Sequence, residues 1–317
     1  MTNFYMLVGL PGSGKSNIAR KMKEENPKIQ ILSSDELRKE LWGNENTQGD
    51  NSVLFKELHN RIKFCLENGV DCIYDATNIS SKRRMAFLNE LKRFKDINKV
   101  CIFVLTSIEK CLKNNKSRER KVPEEVIRNM YLRFDVPQYR EGWNNIIIER
   151  QFDRQRDCFK NMDKLREIPH DNPHHLLSIG DHMCACTEYI LKNYALKISD
   201  YMLRILCKAA FFHDVGKPFT KTFKDSQDKD TEIAHYYGHE NVSAYLYLLY
   251  CSSEELREEQ EITLYVADLI GLHMRMFNIA REKALDNYKP EEKLINLIGQ
   301  EKYNGLKILN QADIACS

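Results

Sequence analysis

Short, mainly apolar runs alternate with helix-type patterns through the first half of the chain, and helix-type patterns alone fill the second half. The apolar runs are Phe4–Val8, Ile29–Leu32, Cys72–Tyr74 and Val100–Leu105, and segments such as Ser16–Lys23 and Lys82–Phe94 follow them. Strands that are apolar on both faces and separated by helices predict a parallel sheet covered on both sides. After Ile148 the strand signals stop, and the stretch from Glu149 to Pro173 is rich in charge and poor in long apolar runs. From His175 onward the spacing predicts helices over Leu176–Lys192, Tyr201–Phe212, His239–Tyr250, Glu261–His273, Pro290–Ile298 and Tyr303–Ile314. The expected architecture is therefore an α/β domain over 1–150, a linker over 151–168 and an all-α domain over 169–317. No internal repeat or low-complexity segment interrupts it.

A length of 317 residues suits two such domains. Charge divides along the same line: residues 1–150 carry 27 Lys and Arg against 20 acids, and residues 151–317 carry 21 against 26. The mildly basic first half is compatible with a polyanionic substrate but lacks the dense cationic stripe of a tight duplex binder. Histidine is more lopsided still, with His59 alone in the first half and eight in the second. The ten cysteines show no CxxC spacing. Cys184 and Cys186 point to opposite sides of a helix, so reduced, mostly buried thiols are expected. Apolar runs fall far short of the roughly 18 residues that cross a bilayer, and the N-terminus has no leader-like pattern, which makes cytoplasmic location the default expectation.

Within this frame, Gly9-Leu10-Pro11-Gly12-Ser13-Gly14-Lys15-Ser16 directly follows the first apolar run. Glycines at 9, 12 and 14 let the backbone turn its N–H groups, with that of Ser13, inward on a phosphate, and the next helix adds its positive N-terminus. Lys15 then reaches the outer phosphates and Ser16 is placed to ligate Mg2+. No guanine signature is present, so ATP is the expected nucleotide. Asp35 has two readings: an acid favoured at a helix start within Ser33-Ser34-Asp35-Glu36, or a general base toward an acceptor hydroxyl with Arg38 steadying a negative group. Asp75 ends the third apolar run, at a strand's carboxyl end. Arg118 and Arg120 precede the helix start Val122-Pro123-Glu124-Glu125; they suit either closure over a transferring phosphate or a solvated face.

The segments Gly9 to Ser16, Ser34 to Arg38, Asp75-Ala76-Thr77-Asn78, and Arg118 through Ile127 resemble the kinase domain of the polynucleotide 5'-hydroxyl kinase family. The similarity extends over roughly residues 1–150, including Pro137–Trp143. It implies that Lys15 and Ser16 are the phosphate and magnesium contacts, Asp35 the general base, Arg38 an acceptor-phosphate contact, and Arg118 or Arg120 the lid arginine. The chain departs from the pattern at Asn114-Asn115-Lys116, where related lids often begin with arginine.

In the second half, adjacent His213 and Asp214 offer one divalent ion a nitrogen and an oxygen, and such an ion activates water at neutral pH. His182 lies 31 residues earlier, and His239, His273 and Asp313 follow at intervals of 26, 34 and 40. Helices of one bundle can gather such groups, although each histidine alone is equally a core or surface residue. The set Asp181-His182, Phe212 to Pro218, Tyr237 to Glu240, Leu272-His273 and Ala312-Asp313, with Pro173-His174-His175 upstream, resembles the HD phosphohydrolase superfamily. That resemblance implies a first metal on His182, His213, Asp214 and Asp313. It also implies a second metal or a proton donor at His239 and His273, and a phosphate contact at Lys217. His170, His174, His175 and His235 have no assigned part. Docking of the last helix, which carries Asp313, is expected through Leu306, Leu309 and Ile314.

Together these readings describe an end-healing enzyme for nucleic acid, with RNA favoured over DNA. It would combine an ATP- and Mg2+-dependent 5'-hydroxyl kinase with a phosphohydrolase using Mn2+, Ni2+, Fe2+, Co2+ or Zn2+ on 2'- or 3'-phosphate or cyclic phosphate ends. The rivals are a small-molecule or nucleoside kinase coupled to an HD nucleotidase, and a sensor that binds nucleotides without turnover.

Overall fold

The computed structural model of the chain describes residues 1–44, 49–118, 120–151, 162–173, 176–251 and 255–317. His174, His175 and most of the expected linker lie outside the described residues. The chain divides into two compact units, one of Met1–Tyr131 with Pro137–Asp153, the other of Leu132–Val136 with Arg154–Ser317.

The first unit runs β1 (Thr2–Val8), α1 (Lys15–Glu25), β2 (Gln30–Ser33), α2 (Ser34–Trp42), α3 (Asn51–Glu67), β3 (Cys72–Asp75), α4 (Ser81–Glu90), β4 (Ile97–Leu105), α5 (Ile108–Lys116), α6 (Glu124–Leu132) and β5 (Asn145–Arg150). Its five strands pair in parallel in the order β2-β3-β1-β4-β5. The chain leaves β1 toward β2 and leaves β4 toward β5. Connections therefore diverge between the neighbours β1 and β4, the crevice where open α/β sheets bind ligands. The central strands are buried on both faces, as their continuous apolar runs demand. Leu7, Ile73, Val100, Ile102 and Val104 pack with Ala19 and Ile29 on one side. On the other, Phe4 meets Phe87 edge-on, with ring centroids 5.7 Å apart. At the sheet edge only Ile146 of β5 is fully buried. A half-buried alternating strand gives a weaker sequence signal than its neighbours, and β5 is the strand the apolar runs did not mark.

A buried ion pair braces the strand ends. Arg84 of α4 is bidentate to Glu141, with both N···O distances 2.7 Å. Its remaining nitrogen donates to the Asn78 carbonyl at 2.8 Å, and Trp143 Nε1–H donates to Glu141 at 3.1 Å. A charge pair this dry persists because every lobe of it has a partner.

The second unit continues with α7 (Met162–Arg166), α8 (Ile179–Tyr194), α9 (Asp200–Phe212), α10 (Lys217–Thr220), β6 (Thr222–Lys224), β7 (Asp230–His235), α11 (His239–Tyr250), α12 (Glu255–Glu258), α13 (Gln260–Leu272), α14 (Arg275–Lys283), α15 (Lys289–Ile298) and α16 (Gln300–Ala315). Among its described residues the regular elements are helices apart from the antiparallel β6–β7 hairpin, with one isolated bridge between Pro169 and Ser178. The hairpin turns at Asp228, whose φ of 63° is one that Asp tolerates better than most residues. Residues 162–166, inside the span read as linker, form α7, and this helix lies so close to α8 that a Cβ at Gly180 would meet the Arg166 nitrogen at 2.7 Å. α8 begins at Ile179, where Ser178 Oγ accepts the Asp181 N–H, and Leu176 before it is exposed.

One expectation about α16 is corrected. Ile314 is 58% exposed, and the helix docks instead through Tyr303, Leu306, Leu309 and Ala312. The buried stripe advances by three or four residues at a time, which puts Asp313 on the inner face and its neighbour about 100° away from it.

Candidate functional site

In the first unit the phosphate loop, Thr106 at the end of β4, Asp75 at the end of β3 and Asp35 beyond β2 all lie at the carboxyl edge of the sheet. Gly12 has φ 79°, and a Cβ there would meet the Cys111 carbonyl at 2.3 Å, so glycine is obligatory. The loop is held from outside: Asn114 Nδ2 donates to the Gly12 carbonyl at 2.9 Å and Thr106 Oγ1 to the Ser13 carbonyl at 3.0 Å. The residue that departs from the lid pattern thus tethers the loop. Its neighbour Asn115 grips Val122 at both ends, donating to its carbonyl at 2.7 Å and accepting its N–H at 3.0 Å.

Lys15 is buried, with Nζ donating to the carbonyls of Gly9 at 3.0 Å and Leu10 at 2.7 Å. Burial pushes its pKa down, opposed by Asp75. Ser16 Oγ donates to Asp75 Oδ2 at 2.8 Å. Burial raises the Asp75 carboxyl, with Lys15 and Ser16 pulling the other way. The sequence pointed to Asp75 without giving it a part, and the structure places its carboxylate on the Ser16 hydroxyl.

Asp35 starts α2, where Ser33 Oγ accepts its N–H at 3.2 Å. The backbone of Asp35 belongs to a helix cap, as the first reading has it, and its carboxylate faces cations. Arg38 lies 3.3 Å away, Arg118 3.8 Å away, and Arg120 forms an ion pair with Oδ1. Arg38 is pushed down by burial and by Arg120, with Asp35 opposing. The three arginines singled out for acceptor and lid roles converge on the carboxylate of Asp35.

In the second unit helix ends deliver the candidate ligands. His213 closes α9, Asp214 occupies the turn, Lys217 opens α10, His239 opens α11, His273 closes α13, and His182 and Asp313 lie on α8 and α16. Gly216 lets α11 come close: a Cβ would meet the His239 carbonyl at 2.6 Å. The six candidate ligand residues are all buried. Asp214 stands between two sets. Its Oδ2 lies 3.3 Å from His213 Nε2 and 3.5 Å from His182 Nε2, while its Oδ1 lies 3.2 Å from His239 Nε2 and 3.9 Å from His273 Nε2. Asp313 Oδ1 completes the first set at 3.1 Å from His182 and 3.8 Å from His213. Lys217 Nζ is 2.6 Å from Asp214 Oδ2.

The tautomers follow from the acceptors. His213 Nδ1 meets the Ala210 carbonyl at 2.8 Å, His239 Nδ1 that of Tyr236 at 2.7 Å, His273 Nδ1 that of Ile270 at 2.7 Å, and His182 Nδ1 that of Cys316 at 3.1 Å. A carbonyl only accepts, so each Nδ1 carries the proton and each Nε2 presents a lone pair inward. Two such pairs face each other, His182 with His213 at 3.3 Å and His239 with His273 at 3.2 Å. Lone pairs at that separation repel unless a cation lies between them. Burial would lower His213, but Asp214 and Asp313 outweigh it and hold the ring up to about 10, so a proton fills its Nε2 lone pair until a metal ion displaces it. His273 is pushed down to about 3 by burial and then by His239 and His213. Opposed nitrogen lone pairs bracketed by two carboxylates fit a divalent metal, and the donors are those that transition ions favour.

Two residues near this centre were not assigned from sequence. Cys186 Sγ lies 3.7 Å from His182 Nε2, and with His182 and His213 it forms a compact donor group. Its position one turn after His182 on the same face was the available signal. His170 is buried with its ring 5.5 Å from that of His182, and its Nδ1 meets the Leu177 carbonyl at 2.8 Å. His235 stacks on Tyr237 and lies outside the ligand set.

The first arrangement is that of a P-loop phosphotransferase and the second that of a histidine and aspartate metal centre. Comparison with known proteins agrees: residues 4–137 match the family model described as an AAA domain, and residues 180–314 that of the HD domain. The chain joins an AAA domain of the P-loop kinase type to an HD domain. The first kind of domain uses ATP with magnesium, the second a divalent metal. Among curated proteins, the L-seryl-tRNA(Sec) kinase of Methanococcus maripaludis is 34% identical over 148 residues, covering 44% of this chain and 55% of that protein. The chain thus spans about half the length of that relative. Among solved structures, one of the Pnkp1/Rnl/Hen1 RNA repair complex aligns at TM-score 0.37 and 21% identity over 41% of this chain and 42% of that one. A fungal RNA kinase aligns at TM-score 0.38 and 10% identity over 66% and 95%. No helix among the described residues is long and apolar enough to cross a membrane.

Proposed function

We propose that the chain heals nucleic-acid ends, with RNA as the preferred substrate: its first domain phosphorylates a 5'-hydroxyl from ATP and its second hydrolyses a 2'- or 3'-phosphate or cyclic phosphate. The observation that carries the kinase half is the Asp35 carboxylate with Arg38, Arg118 and Arg120 around it. Asp35 takes the acceptor hydroxyl proton as that oxygen bonds to the γ-phosphorus and the bond to ADP breaks. Arg38 holds a phosphate of the acceptor strand, and Arg118 or Arg120 turns from Asp35 to the transferring group. The likeness to a kinase whose named substrate is a charged tRNA favours an RNA-borne acceptor.

For the second domain, His182, His213, Asp214 and Asp313 would hold one divalent ion, and His239 and His273 a second. A metal there supplies Lewis acidity toward phosphate oxygens and lowers the pKa of water. Lys217, 2.6 Å from Asp214, contacts the substrate phosphate.

The same relative supports a second reading, in which the accepting hydroxyl belongs to an aminoacyl group on tRNA. Incubation with γ-labelled ATP and a 5'-hydroxyl oligoribonucleotide, seryl-tRNA or free nucleosides separates the possibilities. Label on the oligonucleotide is expected. Label on seryl-tRNA alone transfers the assignment to the second reading, and label on nucleosides alone defeats both.

A further inference from the structure

His170 stands before α8 on a connecting stretch that is tied to the fold on both sides of it. Pro169 bridges to Ser178, the Asp171 carbonyl accepts the Ala234 N–H at 2.9 Å, and Asn172 Nδ2 donates to the Ala234 carbonyl at 3.1 Å. The Tyr236 hydroxyl donates to the His170 carbonyl itself. Asp171 takes φ 49°, a left-handed conformation that persists only where the surroundings fix it. What this scaffold holds is a buried imidazole. The His170 ring stands edge-on to His182, with centroids 5.5 Å apart, and edge-on to Tyr236 at 6.3 Å. The Tyr236 ring in turn meets Lys217 Nζ at 5.5 Å, so imidazole, phenol and ammonium together border the first ligand set. Nδ1 of His170 donates to the Leu177 carbonyl at 2.8 Å, which makes Nε2 an acceptor. Burial, and after it Lys217, disfavour a second proton on the ring.

An acceptor has no use for an ionised phosphate oxygen, which is itself only an acceptor; its partner must bring a hydrogen. Lys217 is the residue proposed to hold the phosphate, and the hydroxyl nearest a terminal phosphate in RNA is the one on the adjoining ribose carbon. We propose that His170 is a specificity residue of the second domain: its Nε2 accepts the hydrogen of the ribose hydroxyl next to the phosphate being removed. The assignment rests on the phosphohydrolase reading above and narrows it. A terminal ribonucleoside 2'- or 3'-phosphate monoester carries that hydroxyl. A 3'-phosphate on deoxyribose lacks it, and a 2',3'-cyclic phosphate has both oxygens esterified, so neither supplies the hydrogen. The preferred substrate is therefore the ribonucleotide monoester end.

The test compares two oligoribonucleotides with a 3'-phosphate, identical except that one ends in 2'-deoxyribose, using the full chain with Mn2+, Ni2+ or Co2+ in separate assays. Release of inorganic phosphate gives kcat/KM for each. The native chain should favour the all-ribose strand by about 10-fold or more, the discrimination that one neutral hydrogen bond supplies. His170→Asn keeps an N–H donor where Nδ1 stands and removes the acceptor. It should bring the all-ribose strand down to the rate of the deoxy-ended one and leave the latter unchanged. His170→Gln sets an amide oxygen near the place of Nε2 and should restore part of the preference. Equal native rates on the two strands overturn the proposal, as does a 2',3'-cyclic end hydrolysed faster than the monoester. An equal fall on both strands in His170→Asn, with metal content and unfolding midpoint unchanged, also overturns it and makes the ring an aid to the attacking water instead. If the native chain hydrolyses no strand with any of the metals, the phosphohydrolase reading itself fails, and the specificity with it.

Discussion

The two sites handle charge in opposite ways. In the P-loop domain the Asp35 carboxylate sits at the rim, 35% exposed at its side chain, and is met by arginines from two different parts of the chain. In the HD domain the carboxylates and imidazoles of the candidate centre are buried, and each of its imidazoles is fixed from behind by a carbonyl. The difference matches the chemistry. Phosphoryl transfer needs cations that exchange one anion for another during the reaction, which long side chains on a connecting segment can do. A metal centre gains from ligands that do not move, so its donors sit at helix ends where the backbone sets them.

The sharpest way to break this comparison is to remove the carboxylate shared by both ligand sets. Asp214→Ala should weaken divalent-metal binding by more than about 100-fold, above the cost of losing an outer partner, and abolish phosphatase activity with the kinase intact. Elemental analysis of the purified variant checks it, and a full complement of metal would contradict the assignment. Asp35→Asn should lower kinase turnover by about 10²- to 10⁴-fold with ATP affinity near normal, because a base acts in the chemical step. Since the same change also releases Arg38, Arg118 and Arg120, acceptor KM should shift as well; unchanged turnover would defeat the base.

Stability sharpens the contrast further. Arg84→Ala leaves Glu141 buried without its partner and should destabilise the first unit by about 3–5 kcal/mol. Both tryptophans, Trp42 and Trp143, lie in that unit, so fluorescence during denaturant unfolding reports on it. A loss below about 1 kcal/mol would show that the pair is dispensable. The smallest effect is expected at His59, which burial pushes down to about 4 from 6.5. A lowered pKa means the unfolded chain takes up the proton first, so this contribution is complete above pH 6.5 and declines from there to about pH 4. His59→Phe should flatten the pH dependence of first-unit stability across that window, and an unchanged slope would assign it elsewhere.

Much of this was readable in the residues, for physical reasons. Strands buried on both faces must be apolar throughout, so β1, β3 and β4 stood out; of the two edge strands, β2 was marked by its Ile29–Leu32 run and β5 was not. The β6–β7 hairpin escaped because its strands are short and charged and its turn uses Asp228 rather than glycine. Ligand types are legible, since few side chains bind a metal or cradle a phosphate. Their backbone partners are not, because Ala210, Tyr236, Ile270 and Cys316 contribute only carbonyls, which every residue has. Arg120 and Asp35 lie 85 positions apart, and no spacing rule joins them.

The carbonyl fixing also implies an order of assembly. His213, His239 and His273 each use the carbonyl three positions earlier, so those rings are aimed as soon as their own turns form. His182 borrows its acceptor from 134 positions away. Three corners of the centre can be ready while the fourth waits for the end of α16, so a nascent chain has no complete cage to trap an ion until that helix has been made.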